Sequence, residues 1–132
     1  MKQHLAQIAI IVKDYDEAIA FYTGKLGFVL RTDDQLNETK RWVIVAPPGA
    51  NESGLLLARA ANEQQAAAIG NQSGGRVFLF LHTDDFWSDY ERYKSQDIRF
   101  VREPSKEAYG TVAVFEDLYG NLWDLIEREP NP

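Results

Sequence analysis

The sequence predicts an α+β fold built from two β-α-β-β-β modules, and three observations in the 132-residue chain lead to it. Short apolar runs with β-branched residues alternate with segments of helical period, in the order strand, helix, three strands. That order begins again after the stretch Asn71 to Gly75. Landmarks of the two halves also keep a nearly constant separation: Val12 and Leu81 lie 69 positions apart, Tyr22 and Tyr93 71, Phe28 and Phe100 72, Leu56 and Asp124 68. The spacing is that of a degenerate duplication and is too long for a solenoid repeat. One such unit leaves a sheet face without cover, so the two are expected to pair and enclose a groove.

Ile8, Ile10 and Val12 alternate with Ala9 and Ile11 in the first predicted strand, which therefore reads as buried on both faces. Asp14 caps the helix that follows, with Glu17 completing a capping-box-like pair. Ala18, Ile19, Tyr22 and Leu26 continue at helical spacing until Gly27 stops the helix. Strands are predicted at Phe28 to Arg31, Trp42 to Ala46 and Leu55 to Ala58. A short helix over 62–69 is capped by Asn62 and ended by Gly70. In the second half, Arg76 to His82 reads as a strand, and Asp84 or Asp85 caps a helix carrying Phe86, Tyr90 and Tyr93. Ile98 to Val101, Thr111 to Phe115 and Leu122 to Ile126 are the remaining strands, with a turn at Leu118 to Asn121. The whole chain, 1–132, reads as one domain of two modules, about 5–58 and 75–128, joined by a short helical linker over 59–74.

Hydrophobic residues make up 45% and charged residues 26%, values that exclude wholesale disorder. The net charge of −6 argues against a non-specific nucleic-acid or anionic-membrane binder, since both need excess Lys and Arg. Small molecules are the expected partners. With no cysteine, disulfides, thiolate nucleophiles and Cys-ligated zinc are excluded. The apolar run Leu5 to Val12 is interrupted by Gln7, ended by Lys13 and Asp14, and followed by no small-x-small cleavage pattern. It reads as the first strand of a cytoplasmic protein. No Gly-x-Ser-x-Gly elbow, dinucleotide fingerprint or P-loop occurs.

Two segments, IAIIVKDYDEAIAFYTGKLGF (Ile8 to Phe28) and TVAVFEDLYGNLWDLIE (Thr111 to Glu127), resemble the opening strand-helix and closing hairpin of the vicinal oxygen chelate superfamily. That group includes glyoxalases, bleomycin-type resistance proteins, fosfomycin-modifying enzymes and extradiol dioxygenases. The similarity spans residues 5 to 128. It implies a curved, mostly antiparallel sheet around a groove, and a homodimer as a common form. It does not fix the reaction, because the fold hosts many chemistries.

Members of that superfamily hold a divalent metal with His or Glu from the first and last strands of each repeat. By resemblance those positions fall on Gln7, Leu56, Arg76 and Asp124. Asp124 alone is a good ligand; Gln7 offers a weak carbonyl, Leu56 nothing, and Arg76 a permanent positive charge. No metal is therefore expected there, and no other cofactor. Arg76 and Asp124 are instead expected to meet inside the groove. They make either a structural ion pair or a site where the Arg76 fork takes a carboxylate, phosphate or enolate. Alternation places Phe78 and Phe80 on the groove face beside Arg76, and turns Trp123 and Leu125 the other way. Tyr109, beside Gly110, is expected at the groove mouth. His4 lies at the terminus, and His82 is roughly 20 Å along the strand from Arg76, too far to share a metal. Glu116 and Asp117 read as a solvated acidic turn.

Three readings of function follow. The first is a small-molecule-binding protein of the glyoxalase/bleomycin-resistance type that takes an anionic or aromatic ligand without the usual metal. Its substrate contacts would be Gln7, Leu56, Arg76, Phe78, Phe80, Tyr109 and Asp124. Were it catalytic, Arg76 would stabilise negative charge while Asp124 or Tyr109 moved a proton. The second is a metal-dependent lyase or dioxygenase with displaced ligands such as Asp124, Glu116 and Gln7. The third is an inert interaction module on the same fold.

Overall fold

The computed structural model describes residues 1–130. Eight strands sort into two four-stranded sheets, and the chain divides into two compact units between Ile69 and Gly70. The first unit runs β1 (Gln7–Val12), α1 (Tyr15–Ile19), β2 (Val29–Gln35), β3 (Arg41–Ala46), β4 (Gly54–Arg59) and α2 (Glu63–Ala67). The second runs β5 (Val77–His82), α3 (Phe86–Ser95), β6 (Phe100–Glu107), β7 (Gly110–Glu116) and β8 (Leu122–Arg128). Strand order is β1-β4-β3-β2 in one sheet and β5-β8-β7-β6 in the other. In each sheet the first strand pairs parallel with the last, and the other two pairings are antiparallel. This is the α+β architecture that the duplicated β-α-β-β-β order predicts.

Helix α1 starts where expected: Asp14 accepts a 2.8 Å hydrogen bond from the Glu17 amide. After Ile19 the helix widens into a π-helical turn, Ala20–Lys25. The Thr23 hydroxyl donates to the Ile19 carbonyl at 2.7 Å, and the Leu26 amide reaches back five residues to Phe21. A hydroxyl bonded back to the preceding turn competes with the helical ladder and loosens it. The centre of this sheet's covered face is apolar. Ile10, Leu57 and Val43 stand in one register row and Leu55 beside Val45 in the next, all at most 5% exposed. Ala18, Phe21, Tyr22 and Leu26 from the helix are buried with them. The expectation that β1 is buried on both faces fails, because Ala9 is exposed and Ile8 and Ile11 are half-buried.

The second unit repeats this arrangement with larger side chains. Leu79, Trp123, Phe115 and Phe100 form one cross-strand row. Tyr93 of α3 meets the Phe115 ring at 5.3 Å and Tyr90 meets Phe100 at 4.6 Å, both edge-on. Burial there pushes the Tyr93 phenol up to about 12.

The β7–β8 turn corrects the reading of Glu116 and Asp117 as a solvated pair. Asp117 is buried, and its carboxylate accepts from the Asn121 amide (3.0 Å), the Tyr119 amide (3.1 Å), the Asn121 side chain (3.1 Å) and the Trp123 indole (3.1 Å). A buried carboxylate is tolerated here because donors from the turn and from the strand after it compensate its lost hydration. Gly70 closes on the same turn with φ of +77°; a Cβ there would stand 1.9 Å from the Tyr119 carbonyl oxygen. Replacing Asp117 with Ala strands the Trp123 and Asn121 donors. It is expected to lower stability by about 2–4 kcal/mol in urea unfolding; a loss under about 0.5 kcal/mol would contradict this role.

Candidate functional site

Each sheet has a second face, opposite its helix, and three of the four family-aligned positions, Gln7, Leu56 and Asp124, lie there. In the first unit Leu56 stands in a row with Ala9, Ile44 and Thr32, and Gln7 lies two residues away beside Gly54. Gln7, Leu56 and Ile44 are half-buried, unlike the closed apolar face behind them. In the second unit, Phe80, Asp124, Val114 and Arg102 form one row across all four strands. Phe80 is 61% exposed, which is far from a core ring. Asp124 is half-buried, and that burial raises its pKa while the positive charge of Arg102 opposes the rise.

Arg76 does not join Asp124. Val77 is in register with Leu122 and Phe80 with Asp124, so β5 spends three steps where β8 spends two. This bulge at Phe78 breaks the alternation that would have put Arg76, Phe78 and Phe80 on one face. Arg76 is exposed, precedes β5, and makes no ion pair among the described residues. Its backbone carbonyl accepts from the Ser73 hydroxyl. The cation that acts on Asp124 is Arg102, which the sequence reading did not select. Counting from β8 through β7 to β6 would have found it, except that bulges flank Arg102 on both sides. Tyr109 is 54% exposed in the short β6–β7 connection, where its carbonyl accepts from the Glu129 amide at 3.0 Å. His82 is exposed at the end of β5. Trp123 and Leu125 are buried on the helix side, as alternation requires.

The donor set does not fit a divalent cation. The four aligned positions present a carboxamide, an alkyl chain, a guanidinium and one carboxylate. Among the described residues no three His, Cys, Asp or Glu side chains gather as a cation would require. Glu116, the alternative ligand, is engaged by Arg99 at 3.4 Å.

The first unit also encloses a cavity of about 410 Å³ that the sequence reading missed apart from Leu56. Tyr15, Trp42, Leu56, Lys40, Arg41 and Arg59 are among its lining residues. The Tyr15 hydroxyl accepts from the Arg41 amide at 3.2 Å, which fixes the ring. Two guanidinium groups lie against that ring, Arg41 at 5.2 Å and Arg59 at 5.6 Å from its centroid. Arg41 is clamped by Asp33 (2.7 and 3.1 Å) and Asp16 (2.8 Å). These bonds raise the Arg41 pKa further, and they hold Asp33 below the usual carboxylate range.

Comparison with known proteins agrees with this fold. The profile of the Glyoxalase/Bleomycin resistance protein/Dioxygenase superfamily matches residues 4–125. An uncharacterized protein of Shewanella frigidimarina is 61% identical, covering 96% of this chain and 95% of its own. Bacillus subtilis YurT is 32% identical over 91% of this chain and 95% of its own. Among solved structures, UcmS2 is 35% identical with a TM-score of 0.83, covering 96% of this chain and 98% of its own. TnmS3, an antibiotic binding protein from Streptomyces sp. CB03234, is 28% identical with a TM-score of 0.78, covering 97% and 98%. The chain belongs to the Glyoxalase/Bleomycin resistance protein/Dioxygenase superfamily.

The raised pKa of Asp124 has a consequence for stability. Between its unfolded and folded pKa values the folded chain holds a proton that the unfolded chain has lost, so stability falls as pH rises through that window. Asp124→Asn is therefore expected to raise Tm at pH 7 by about 1–3 °C, with the gain vanishing near pH 3. A variant less stable than the parent at pH 7 would show that Asp124 is held by a stabilising charge partner instead.

Proposed function

We propose that this chain is a cytoplasmic, homodimeric small-molecule-binding protein that takes a small anionic or aromatic organic ligand without a resident divalent metal. The observation that carries the reading is the chemistry of the four aligned positions, Gln7, Leu56, Arg76 and Asp124. They supply one good anionic donor where a cation needs three or four. Arg76, exposed just before β5, adds a cation that attracts an anion and no ligand for a metal. The exposed ring of Phe80 beside Asp124 and the open guanidinium of Arg76 supply groups that a polar aromatic ligand uses. Similarity to TnmS3, whose name records antibiotic binding, supports a small organic molecule as the ligand.

A catalytic version of the reading gives Asp124 the proton-transfer role, because a half-buried carboxyl with raised pKa holds its proton closer to neutrality. The stabilising charge would come from Arg102, whose field reaches Asp124, or from Arg76 on a bound ligand.

Elemental analysis by mass spectrometry, on untagged protein that has never met a nickel column, is expected to find less than about a tenth of a metal ion per chain. A panel of small aromatic acids in a thermal-shift assay is expected to contain compounds that raise Tm, as any ligand of the folded state must. Close to one zinc, iron, manganese or nickel per chain would overturn the metal-free reading. A panel with no stabilising compound would overturn the binding reading.

A further inference from the structure

The cavity of the first unit carries a second, more specific reading, and it rests on the small-molecule reading above. We propose that this cavity seats the anionic end of a flat aromatic ligand, an arylcarboxylate, with Arg59 and Lys40 taking the carboxylate and Trp42 lying along the ring.

Three cations line the cavity, Lys40, Arg41 and Arg59, and no Asp or Glu lines it. Arg41 is spoken for, since Asp16 and Asp33 both bond its guanidinium. Arg59 and Lys40 make no ion pair among the described residues. Arg59 donates from Nη2 to the Thr39 carbonyl at 3.0 Å and rests against Tyr15. A guanidinium has five N–H donors, so its fork retains donors for an incoming oxyanion. Two cations without an ion pair thus line one cavity of a chain whose net charge is −6. An anion in the cavity would supply the counter-charge that Lys40 and Arg59 lack.

Geometry adds to this. Arg59 is held from two sides, by the Thr39 carbonyl and by the Tyr15 ring, which Arg41 fixes in turn through its backbone amide. The guanidinium is thus pre-organised and loses little freedom on meeting a carboxylate. Trp42 and Leu56 are half-buried and give the cavity apolar walls, and about 410 Å³ lies within the range of small-ligand sites. The combination of a fixed cationic fork, a second cation and an indole wall selects a planar body with one anionic head.

The test uses 2-naphthoate and its neutral counterpart 2-naphthalenemethanol, titrated into the full chain by calorimetry and by tryptophan fluorescence. Naphthoate is expected to bind at least about tenfold more tightly than the alcohol. Arg59→Gln should weaken naphthoate by about tenfold or more and leave the alcohol unchanged. Lys40→Gln, at an exposed side chain, should weaken naphthoate in the same direction and serves if Arg59→Gln does not fold. Trp42→Phe should remove most of the quenching. Equal affinity for acid and alcohol, or naphthoate affinity unmoved in both charge variants, would overturn this seat, as would no binding of naphthoate at all. Aromatic acids that raise the Tm of parent, Arg59→Gln and Lys40→Gln alike would overturn the seat and leave the small-molecule reading standing. A parent chain stabilised by no compound would strike that reading itself.

Discussion

In each unit the first strand pairs parallel with the last, and that pairing requires a crossover, which here contains a helix. The helix can cover one sheet face only. Ile10, Leu57, Val43 and their neighbours close over α1 in the first unit, and Trp123, Phe115 and Phe100 do the same under α3. The opposite faces carry half-buried and exposed residues of mixed chemistry: Gln7, Leu56 and Thr32 in one sheet, Phe80, Asp124 and Arg102 in the other. A face with no helix to satisfy is free to hold groups that a core would reject. The duplicated topology thus decides where functional side chains can stand before it decides what they do.

What they do depends on charge. In the second unit, Asp124 is desolvated enough for its proton to be held more tightly, with the field of Arg102 opposing. In the first, one tyrosine ring carries two guanidinium groups of different status. Arg41 is a structural cation, neutralised by Asp16 and Asp33 across two strands and a helix. Arg59 is bonded to a carbonyl and an aromatic face, neither of which cancels its charge. The same residue type thus serves stability in one place and leaves an electrostatic vacancy in the other. Neither site gathers three His, Cys, Asp or Glu side chains among the described residues, and the ligand proposed above is an organic molecule with an acidic group.

Much of this was legible in the sequence. The caps of Asp14 and Asn62 sit where their spacing requires and bond the Glu17 and Gln65 amides. The central strands β3, β4, β7 and β8 announce themselves as short runs of apolar residues. The edge strands were read short. β2 runs on through Thr32 to Gln35, and β6 through Arg102 to Glu107, with charged side chains that a solvated edge accepts and an apolar pattern does not reveal. Bulges at Phe78 and beside Arg102 break the parity count, so counting pairs Arg76 with Asp124 and passes over Arg102. Asp117 looked like a surface acid because nothing local says that Trp123 will turn its indole N–H back onto it. The cavity was hidden for a related reason. Tyr15, Arg41 and Arg59 come from α1, β3 and β4, and only their register brings them around one ring.

The account's central claim is that this chain recognises an organic anion with its own cations and without a metal. The most direct measurement is the affinity for 2-naphthoate with and without excess EDTA, repeated across a range of sodium chloride concentrations. The account predicts affinity indifferent to the chelator and falling steadily with salt, as screening weakens the attraction of Arg59 and Lys40. Affinity abolished by EDTA and restored by a divalent metal, or unchanged by salt, would contradict it.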